Sequence, residues 1–254
     1  SGRLIVDNGR KIRTLTQDSW MEGINRSYTH YKSPAREKGT KMLKIKGKLW
    51  MYTPRTDRKI LIAGHLLRQS LMGSDLSYED MMEDKKLSQS YIASLSETIV
   101  FRGVICDILL LNAVDKFTTY QSRKLWVDPQ KKVVLRQELF SKSGMLIKDV
   151  EFLDYRLVDK RLFPEKMIFR DLLKQNTQTT YIFDAIKFDV KIPTNEPEST
   201  GIDQLDTETV EEEVTWKDLP APGALLMRKP NEREWQAMKN FGQGLIDFQE
   251  QMSL

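Results

Sequence analysis

The sequence predicts a mainly β protein of the α+β type, in which one antiparallel sheet curls. Residues 3–190 contain many short segments in which apolar and polar residues alternate, as in strands with one buried face. Tight-turn residues separate these segments, and helical periodicity is scarce before residue 190. Many short strands joined by tight turns indicate a single antiparallel sheet and not a parallel one.

The strands are predicted in two groups that flank residues 63–96. In the first group, Asn8-Gly9 gives a strong hairpin signal before segment 11–20, and Gly47 separates a second pair. The predicted strands of this group are 11–20, 24–32, 42–46, 48–52 and 58–62. The predicted strands of the second group are 97–102, 104–113, 117–127, 131–140, 145–157, 165–172 and 179–190. Turn residues such as Asp128-Pro129 and Ser143-Gly144 separate the members of the second group.

Alternation within a strand predicts which side chains share a face. In strand 131–140, Val133, Leu135 and Leu139 are predicted to point one way. Met145 and Ile147 are predicted to point away from the face that carries Val150 and Phe152. Several strands carry apolar residues on both faces at one end. This pattern fits a curled sheet whose concave side is covered or holds an apolar group, and it fits a sheet buried against helices equally well.

Composition excludes several classes of function. The chain has 254 residues, of which 40% are hydrophobic, and no apolar run is long enough for a membrane-spanning helix. A single cysteine excludes a multi-cysteine metal site, and two histidines argue against His-rich zinc chemistry. No motif predicts a cofactor. Residues 1–191 are basic, but no block of consecutive basic residues stands out, so no nucleic-acid partner is predicted.

The C-terminal quarter differs from the rest of the chain. Residues 192–254 carry 13 Asp and Glu against 5 Lys and Arg. Residues 192–215 are predicted to be a disordered acidic linker. Residues 216–254 are predicted to hold an extended segment and an amphipathic helix over 231–252, because Asn231 and Glu234 form a capping box before regularly spaced apolar residues.

Residues 68–84 form a dense polar stretch with three interpretations. Its acids could bind calcium, although the EF-hand pattern is absent, or they could serve as the carboxylate pair of a hydrolase. The third interpretation is architectural. Ser77 and Asp80 match a capping box, which predicts a short helix over 77–84 that packs across the sheet. Its methionines suit contact with varied apolar partners.

Three motifs resemble the bacterial outer-membrane lipoprotein-sorting protein family, which belongs to the LolA-like superfamily of periplasmic lipoprotein carriers. They are SPAREKGT at 33–40, LWMYTP at 49–54 and RQSLMGSDLSYED at 68–80. The resemblance covers about residues 3–191 and assigns them to one lipid-binding domain. The family begins with a helix that this chain does not show before its first strand, and the tail helix 231–252 is expected to take that helix's place.

The resemblance implies an unclosed antiparallel β-barrel, with short helices over its concave face and an apolar cavity between. It implies a periplasmic carrier or chaperone, made with a signal peptide that is removed. The expected cargo is the acyl chains of lipoproteins or of other lipids, with an inner-membrane exporter and an outer-membrane acceptor as partners. It implies no catalytic residue. A lipid-sensing module on the same fold and a carboxylate hydrolase are the alternatives.

The predicted cavity residues are apolar side chains from the strands and from residues 68–84. They are Trp50, Tyr52, Leu61, Leu71, Met72, Leu76, Met81, Met82, Trp126, Val133, Leu135, Met145 and Ile147. Replacing Leu61, Val133 or Leu135 by aspartate is therefore expected to abolish lipid uptake, whereas Asp75→Asn is expected to leave uptake intact.

Overall fold

The computed structural model describes residues 1–45, 47–82 and 85–190, and over these ranges the protein is one antiparallel sheet of 13 strands. The strands are β1 Gly2–Asp7, β2 Ile12–Glu22, β3 Arg26–Ser33, β4 Lys41–Ile45, β5 Lys48–Thr53, β6 Arg58–Ile62, β7 Tyr91–Phe101, β8 Val104–Ala113, β9 Ser122–Asp128, β10 Val133–Phe140, β11 Leu146–Val158, β12 Arg161–Asp171 and β13 Gln178–Phe183. The mainly β prediction is confirmed. The predicted linker 192–215 and the segment 216–254 with its helix lie outside the described residues.

The sheet consists of two meanders that join in its middle. Its strand order is β6-β5-β4-β3-β2-β1-β13-β12-β11-β10-β9-β8-β7, so the first and last strands are neighbours. The two edge strands, β6 and β7, follow each other in the chain. Within the described residues no ladder joins these two edges, so the sheet is an unclosed barrel.

All the described helices lie between the two edge strands, and all are short. Three are 3₁₀ helices, Gly64–Arg68, Leu71–Gly73 and Glu79–Met82, and one is a single-turn α-helix, Leu87–Ser90. In place of the helix predicted over 77–84, the structure has a 3₁₀ helix that begins later, at Glu79, and is described as far as Met82. The capping box that predicted it is confirmed, since Ser77 and Asp80 exchange hydrogen bonds between side chain and backbone.

Each meander carries its own apolar cluster on the same face of the sheet. The larger cluster, under β8–β13, includes Leu109, Leu125, Val150, Phe152, Phe163 and Met167. The smaller cluster, under β1–β6, includes Leu4, Leu15, Tyr31, Leu49, Ile62 and Leu71. Burying one such side chain contributes about 1.5–3 kcal/mol, so these clusters are the main source of stability.

The opposite face of β10–β12 carries a network of charges. Arg170 donates to Asp149 at 2.9 Å and to Glu151 at 2.7 Å, while Arg136 donates to Asp149 at 2.7 Å. Burial alone would raise the pKa of Glu151, but the hydrogen bonds and charges of Arg170 and Arg102 outweigh it and hold that pKa below its usual value. The network marks this as the outer face of the sheet.

Candidate functional site

Residues 63–90, here called the crossing segment, run from one edge of the sheet to the other. Because β6 and β7 are opposite edges but consecutive in the chain, this segment connects the two edges of the sheet. It passes over the face that carries both apolar clusters. Leu71 and Tyr78 are buried in the β1–β6 cluster, and Leu87 is buried in the β8–β13 cluster.

A cavity of about 470 Å³ lies between the crossing segment and the sheet. Strands from both meanders contribute to its wall, so the sheet curves around it and this is the concave face. Its volume falls within the range of about 300–1,000 Å³ that is typical of small-molecule pockets. Apolar residues that line it from the sheet include Met21, Leu139, Val150, Phe152, Met167 and Phe169. Those that line it from the crossing segment include Leu67, Leu71, Leu76, Met81, Met82 and Leu87.

The apolar wall follows from alternation in β11 and its neighbours. Val150 and Phe152 line the cavity, whereas Asp149 and Glu151 between them belong to the outer charge network. From Asp149 to Phe152 the strand therefore supplies an apolar inner face and a charged outer face, while Lys148, nearer its start, adds a charge to the cavity wall. Met167 lies opposite Phe152 in the β11–β12 ladder and extends the apolar wall to the next strand.

Asp75 fixes the middle of the crossing segment to the sheet. Its side chain is 1% exposed and accepts hydrogen bonds from the hydroxyls of Thr177 and Thr179 and from the Asp171 backbone N–H. Its own backbone N–H donates to the Thr179 hydroxyl at 2.9 Å. Lys174 adds bonds to the Ser74 carbonyl and the Ser70 hydroxyl. Asp75 is thus an anchor, occupied by contacts within the protein.

The turn before Asp75 has two consecutive residues in the left-handed region of the backbone. Met72 and Gly73 both have positive φ angles, of 50° and 74°. The Arg13 guanidinium donates a hydrogen bond to the Met72 carbonyl. A Cβ at position 73 would lie 3.2 Å from the Arg13 Nη2, so glycine leaves room for this contact. The Met-Gly pair therefore closes a turn over Arg13.

Asp80 forms the second anchor of the crossing segment. The Lys148 ammonium pairs with Asp80 Oδ2, and the Tyr120 hydroxyl donates to Oδ1 at 2.6 Å. The Ser77 backbone N–H donates to Oδ2 at 2.7 Å. Lys148 lies on β11 and Tyr120 precedes β9, so this anchor ties the segment to the β8–β13 half of the sheet. All three charged or hydroxyl side chains also line the cavity.

The environment of Asp80 lowers the pKa of its carboxyl group. Burial alone would raise that pKa, but the charge of Lys148 and hydrogen bonds from Lys148, Tyr120 and Ser77 outweigh burial and hold it below the usual value. Burial and the nearby Asp80 carboxylate both raise the pKa of Tyr120, so this hydroxyl stays protonated as the donor.

We expect acid to destabilise the protein through this anchor. Because the pKa of Asp80 is lower in the folded state, its ion pair stabilises the protein above the unfolded-state pKa of about 4, and this stabilisation is lost as the pH falls through the folded-state value. Urea unfolding at a series of pH values should show the decline. In Asp80→Asn the decline should be shallower, with Glu151 still contributing. An equal slope in both proteins would contradict the assignment.

A strip of polar side chains crosses the cavity wall on the β1–β6 side. Gln17 Nε2 donates to the Tyr181 hydroxyl at 2.8 Å, and the Ser19 and Thr29 hydroxyls lie 3.1 Å apart. Gly2, which lies opposite Gln17 in the ladder, leaves this space open, since a Cβ there would be 3.1 Å from the Tyr181 hydroxyl oxygen.

The structure separates the predicted cavity residues into two groups. Those that line the cavity are Leu71, Leu76, Met81 and Met82, all in the crossing segment. Met72 packs against the β1–β6 cluster beside them. Among the predicted residues from the strands, none lines the cavity in the described part of the chain. Lipid contact was predicted for these residues, whereas the structure does not place them in the cavity wall.

On the β1–β6 side, the misplaced residues are Trp50, Tyr52 and Leu61. Their strand neighbours Leu49 and Ile62 are buried in the concave-face cluster, so alternation puts these three on the outer face. On the other side, Trp126 and Leu135 pack in an outer cluster with Cys106 and Ile108. Val133 faces outward by alternation, and Ile147 is the extra residue at a bulge between β10 and β11 and does not line the cavity. Met145 is exposed in the turn before β11.

The strand residues that do line the cavity were not among the predicted cavity residues. Val150 and Phe152 were recognised as sharing a face, but the opposite face was chosen. Gln17 and Tyr181 gave no signal, since polar residues in a strand are ordinarily solvent-facing. The number of apolar neighbours on each face of the paired strands is the signal that distinguishes the residues that line the cavity from those on the outer face.

Solved structures of other proteins share this fold. A DUF1329 family protein from Desulfovibrio piger superposes with a TM-score of 0.65 at 23% identity, covering 71% of this chain and 80% of that one. A domain from Vibrio parahaemolyticus, named for outer membrane lipoprotein sorting, gives a TM-score of 0.64 at 21% identity, covering 72% and 81%. A LolA superfamily protein from Nitrosomonas europaea gives 0.59 at 21% identity, covering 71% and 80%.

These comparisons define the fold as that of the LolA-like half-barrels, and they confirm the resemblance noted in the sequence motifs. A family model described as "Uncharacterized protein" matches residues 23–196, and the chain belongs to that family. The search of curated proteins gave no match.

The described residues lack two features. They contain no helix with the length and apolar character to cross a bilayer. They also contain no cluster of three or more His, Cys, Asp or Glu side chains arranged to hold a metal ion.

Proposed function

We propose that this protein is a periplasmic carrier that holds the acyl chains of lipoproteins or other lipids in the cavity beneath the crossing segment. The observation that supports the proposal is the cavity itself, with a volume of about 470 Å³ and apolar walls from both meanders and from the crossing segment. Two of the solved structures with this fold are named for lipoprotein sorting or for the LolA superfamily.

Apolar burial alone is enough to hold such a cargo. Each buried methylene contributes about 0.8 kcal/mol, so ten methylenes contribute about 8 kcal/mol before the costs of association. The methionines Met81 and Met82 at the cavity, with their flexible side chains, suit acyl chains of varied shape. Binding of this kind requires no catalytic group, and the carrier in this proposal is not an enzyme.

The acids of the crossing segment support a structural role over hydrolysis. Asp75 is enclosed by Thr177 and Thr179, and Asp80 is paired with Lys148. A carboxylate pair for hydrolysis needs one group free to protonate a leaving group and another free to attack or to activate water. Both carboxylates instead use their oxygens to hold the crossing segment on the sheet.

In the proposed pathway the cargo comes from an inner-membrane exporter and passes to an outer-membrane acceptor. A lipid sensor on the same fold would use the same cavity but would not release its ligand to a membrane. Transfer of a fluorescent lipid from the loaded protein to acceptor vesicles separates these two functions.

We expect Phe169→Asp to lower the amount of bound lipid by about tenfold or more, because a carboxylate in the apolar wall loses hydration without gaining a partner. Lipid extracted from the purified protein, and native mass spectrometry of the intact complex, would measure the change.

Leu61→Asp is the matched control, since Leu61 lies on the outer face and is 38% exposed. Its lipid content should equal that of the unmodified protein. Loss of lipid in Leu61→Asp, or full lipid content in a folded Phe169→Asp variant, would refute the proposed site.

A further inference from the structure

The polar strip in the cavity wall contains one hydrogen-bonding atom without a partner. Gln17 lines the cavity and is 8% exposed, and its Nε2 donates to the Tyr181 hydroxyl. Its Oε1 is buried and accepts no hydrogen bond from any described residue. Buried polar atoms in folded proteins nearly always have a partner, so this acceptor needs an explanation.

The position of Gln17 shows what such a partner would be. Gln17 and Ser19 belong to β2, Thr29 to β3 and Tyr181 to β13, so the polar strip spans the β1–β6 side of an otherwise apolar wall. Every side chain in the strip is uncharged. The positive charge of Lys148 lies at the other side of the cavity, where it is paired with Asp80. A carboxylate or phosphate near Gln17 would therefore meet the lone pairs of a carbonyl oxygen, which repel it, whereas a hydrogen-bond donor would be paired.

We propose that Gln17 recognises a hydrogen-bond donor on the cargo, so that the preferred ligand is an amphiphile with a hydroxyl or amide N–H group. This inference rests on the proposed lipid-carrier function and adds the chemical class of the cargo. The chain of the ligand occupies the apolar wall formed by residues such as Phe152 and Met167. Its hydroxyl or N–H group donates to Gln17 Oε1 and completes the polar strip.

A matched pair of ligands tests this assignment. Dodecan-1-ol and its methyl ether have the same chain and the same oxygen, but only the alcohol has a donor. Their dissociation constants can be measured by displacement of the fluorescent probe N-phenyl-1-naphthylamine from delipidated protein. We expect the alcohol to bind about tenfold more tightly, because the ether leaves the buried acceptor unpaired.

Variants assign the preference to Gln17. In Gln17→Met, which keeps the shape of the side chain, the ratio of the two dissociation constants should fall to about one. In Thr14→Ala, which alters an exposed side chain of the same strand that does not line the cavity, the ratio should stay near that of the unmodified protein. Circular dichroism and the thermal unfolding midpoint establish that each variant is folded.

The possible results separate the two proposals. Equal binding of the alcohol and the ether to the unmodified protein overturns the role of Gln17. A Gln17 amide rotated by 180° would present its NH2 group to the ligand, and it would give this same result. A preference that persists in folded Gln17→Met overturns it as well. Failure of both ligands to displace the probe overturns the lipid-carrier function, and this inference falls with it. If Gln17→Met does not fold, the comparison on the unmodified protein decides the question.

Discussion

Replacing Asp75 with alanine is expected to lower the free energy of unfolding by about 4 kcal/mol. The Asp75 carboxylate is buried and accepts hydrogen bonds from Thr177, Thr179 and the Asp171 backbone. Alanine leaves these donors without an acceptor beneath the crossing segment. Each hydrogen bond to a charged group contributes about 1.5–3 kcal/mol, and the loss of several together exceeds the effect of most surface substitutions.

Urea unfolding followed by circular dichroism would measure the loss. Glu97→Ala is a suitable control, because Glu97 is an exposed acid on the edge strand β7, and its effect should stay within about 0.5 kcal/mol. Asp75→Asn keeps the shape of the side chain and one acceptor oxygen, so it should be intermediate. An alanine variant as stable as the Glu97→Ala control would show that Asp75 does not anchor the segment.

Replacing Lys148 with methionine is expected to cost about 3 kcal/mol. The Lys148 side chain is 7% exposed, and its removal leaves the Asp80 carboxylate enclosed without a counter-charge. Removing one partner of a buried ion pair typically costs about 3–5 kcal/mol. Tyr120 and the Ser77 backbone still donate to Asp80, which places the expected value at the lower end.

The double variant Lys148→Met/Asp80→Asn tests the coupling directly. With the negative charge also removed, the unpaired ion no longer exists, so the double variant should be more stable than Lys148→Met alone. Urea midpoints of the single and double variants give the interaction energy. Strict additivity of the two single changes would mean that Lys148 and Asp80 do not act as a pair.

The strands were largely predictable, because their signals are local. The predicted strands 58–62 and 104–113 match Arg58–Ile62 and Val104–Ala113, and turn residues bound both.

The face assignment failed in β10 for a physical reason. The ladder between β9 and β10 shifts between Val134 and Arg136, which leaves Leu135 as an extra residue. One extra residue reverses the alternation, so Val133 and Leu139 lie on opposite faces despite their even spacing.

In β5 the failure had a different cause. The strand LWMY is apolar on both faces, so periodicity alone could not choose between Leu49 and Met51 on one side and Trp50 and Tyr52 on the other. The outer face proved to be half-buried because Trp50 and Leu43 form a row with the stacked rings of Trp20 and Tyr28. The choice depends on neighbouring strands that the sequence of β5 does not contain.

The crossing segment was predictable only where its contacts are local. Ser77 and Asp80 are three residues apart, and their capping box was recognised from that spacing. Asp75 and Thr179 are 104 residues apart in the chain, and their contact follows from the position of β13 in the centre of the sheet. Thus the sequence could identify the local capping box in this short stretch, whereas the contacts that anchor it to the sheet, of Asp75 with Thr179 and of Asp80 with Lys148, are revealed only by the fold.

The course of the crossing segment limits how a ligand can enter. One end continues into β6 and the other into β7, and Asp75 and Asp80 hold two points between them. The described part of the segment is attached to the sheet at both ends and at both anchors, so it is not a flap on a single hinge. In the proposed carrier, ligand entry would therefore use a gap beside the segment, or the release of one anchor while the other still holds. The two anchors thus make access to the cavity a local event that leaves the rest of the cover in place.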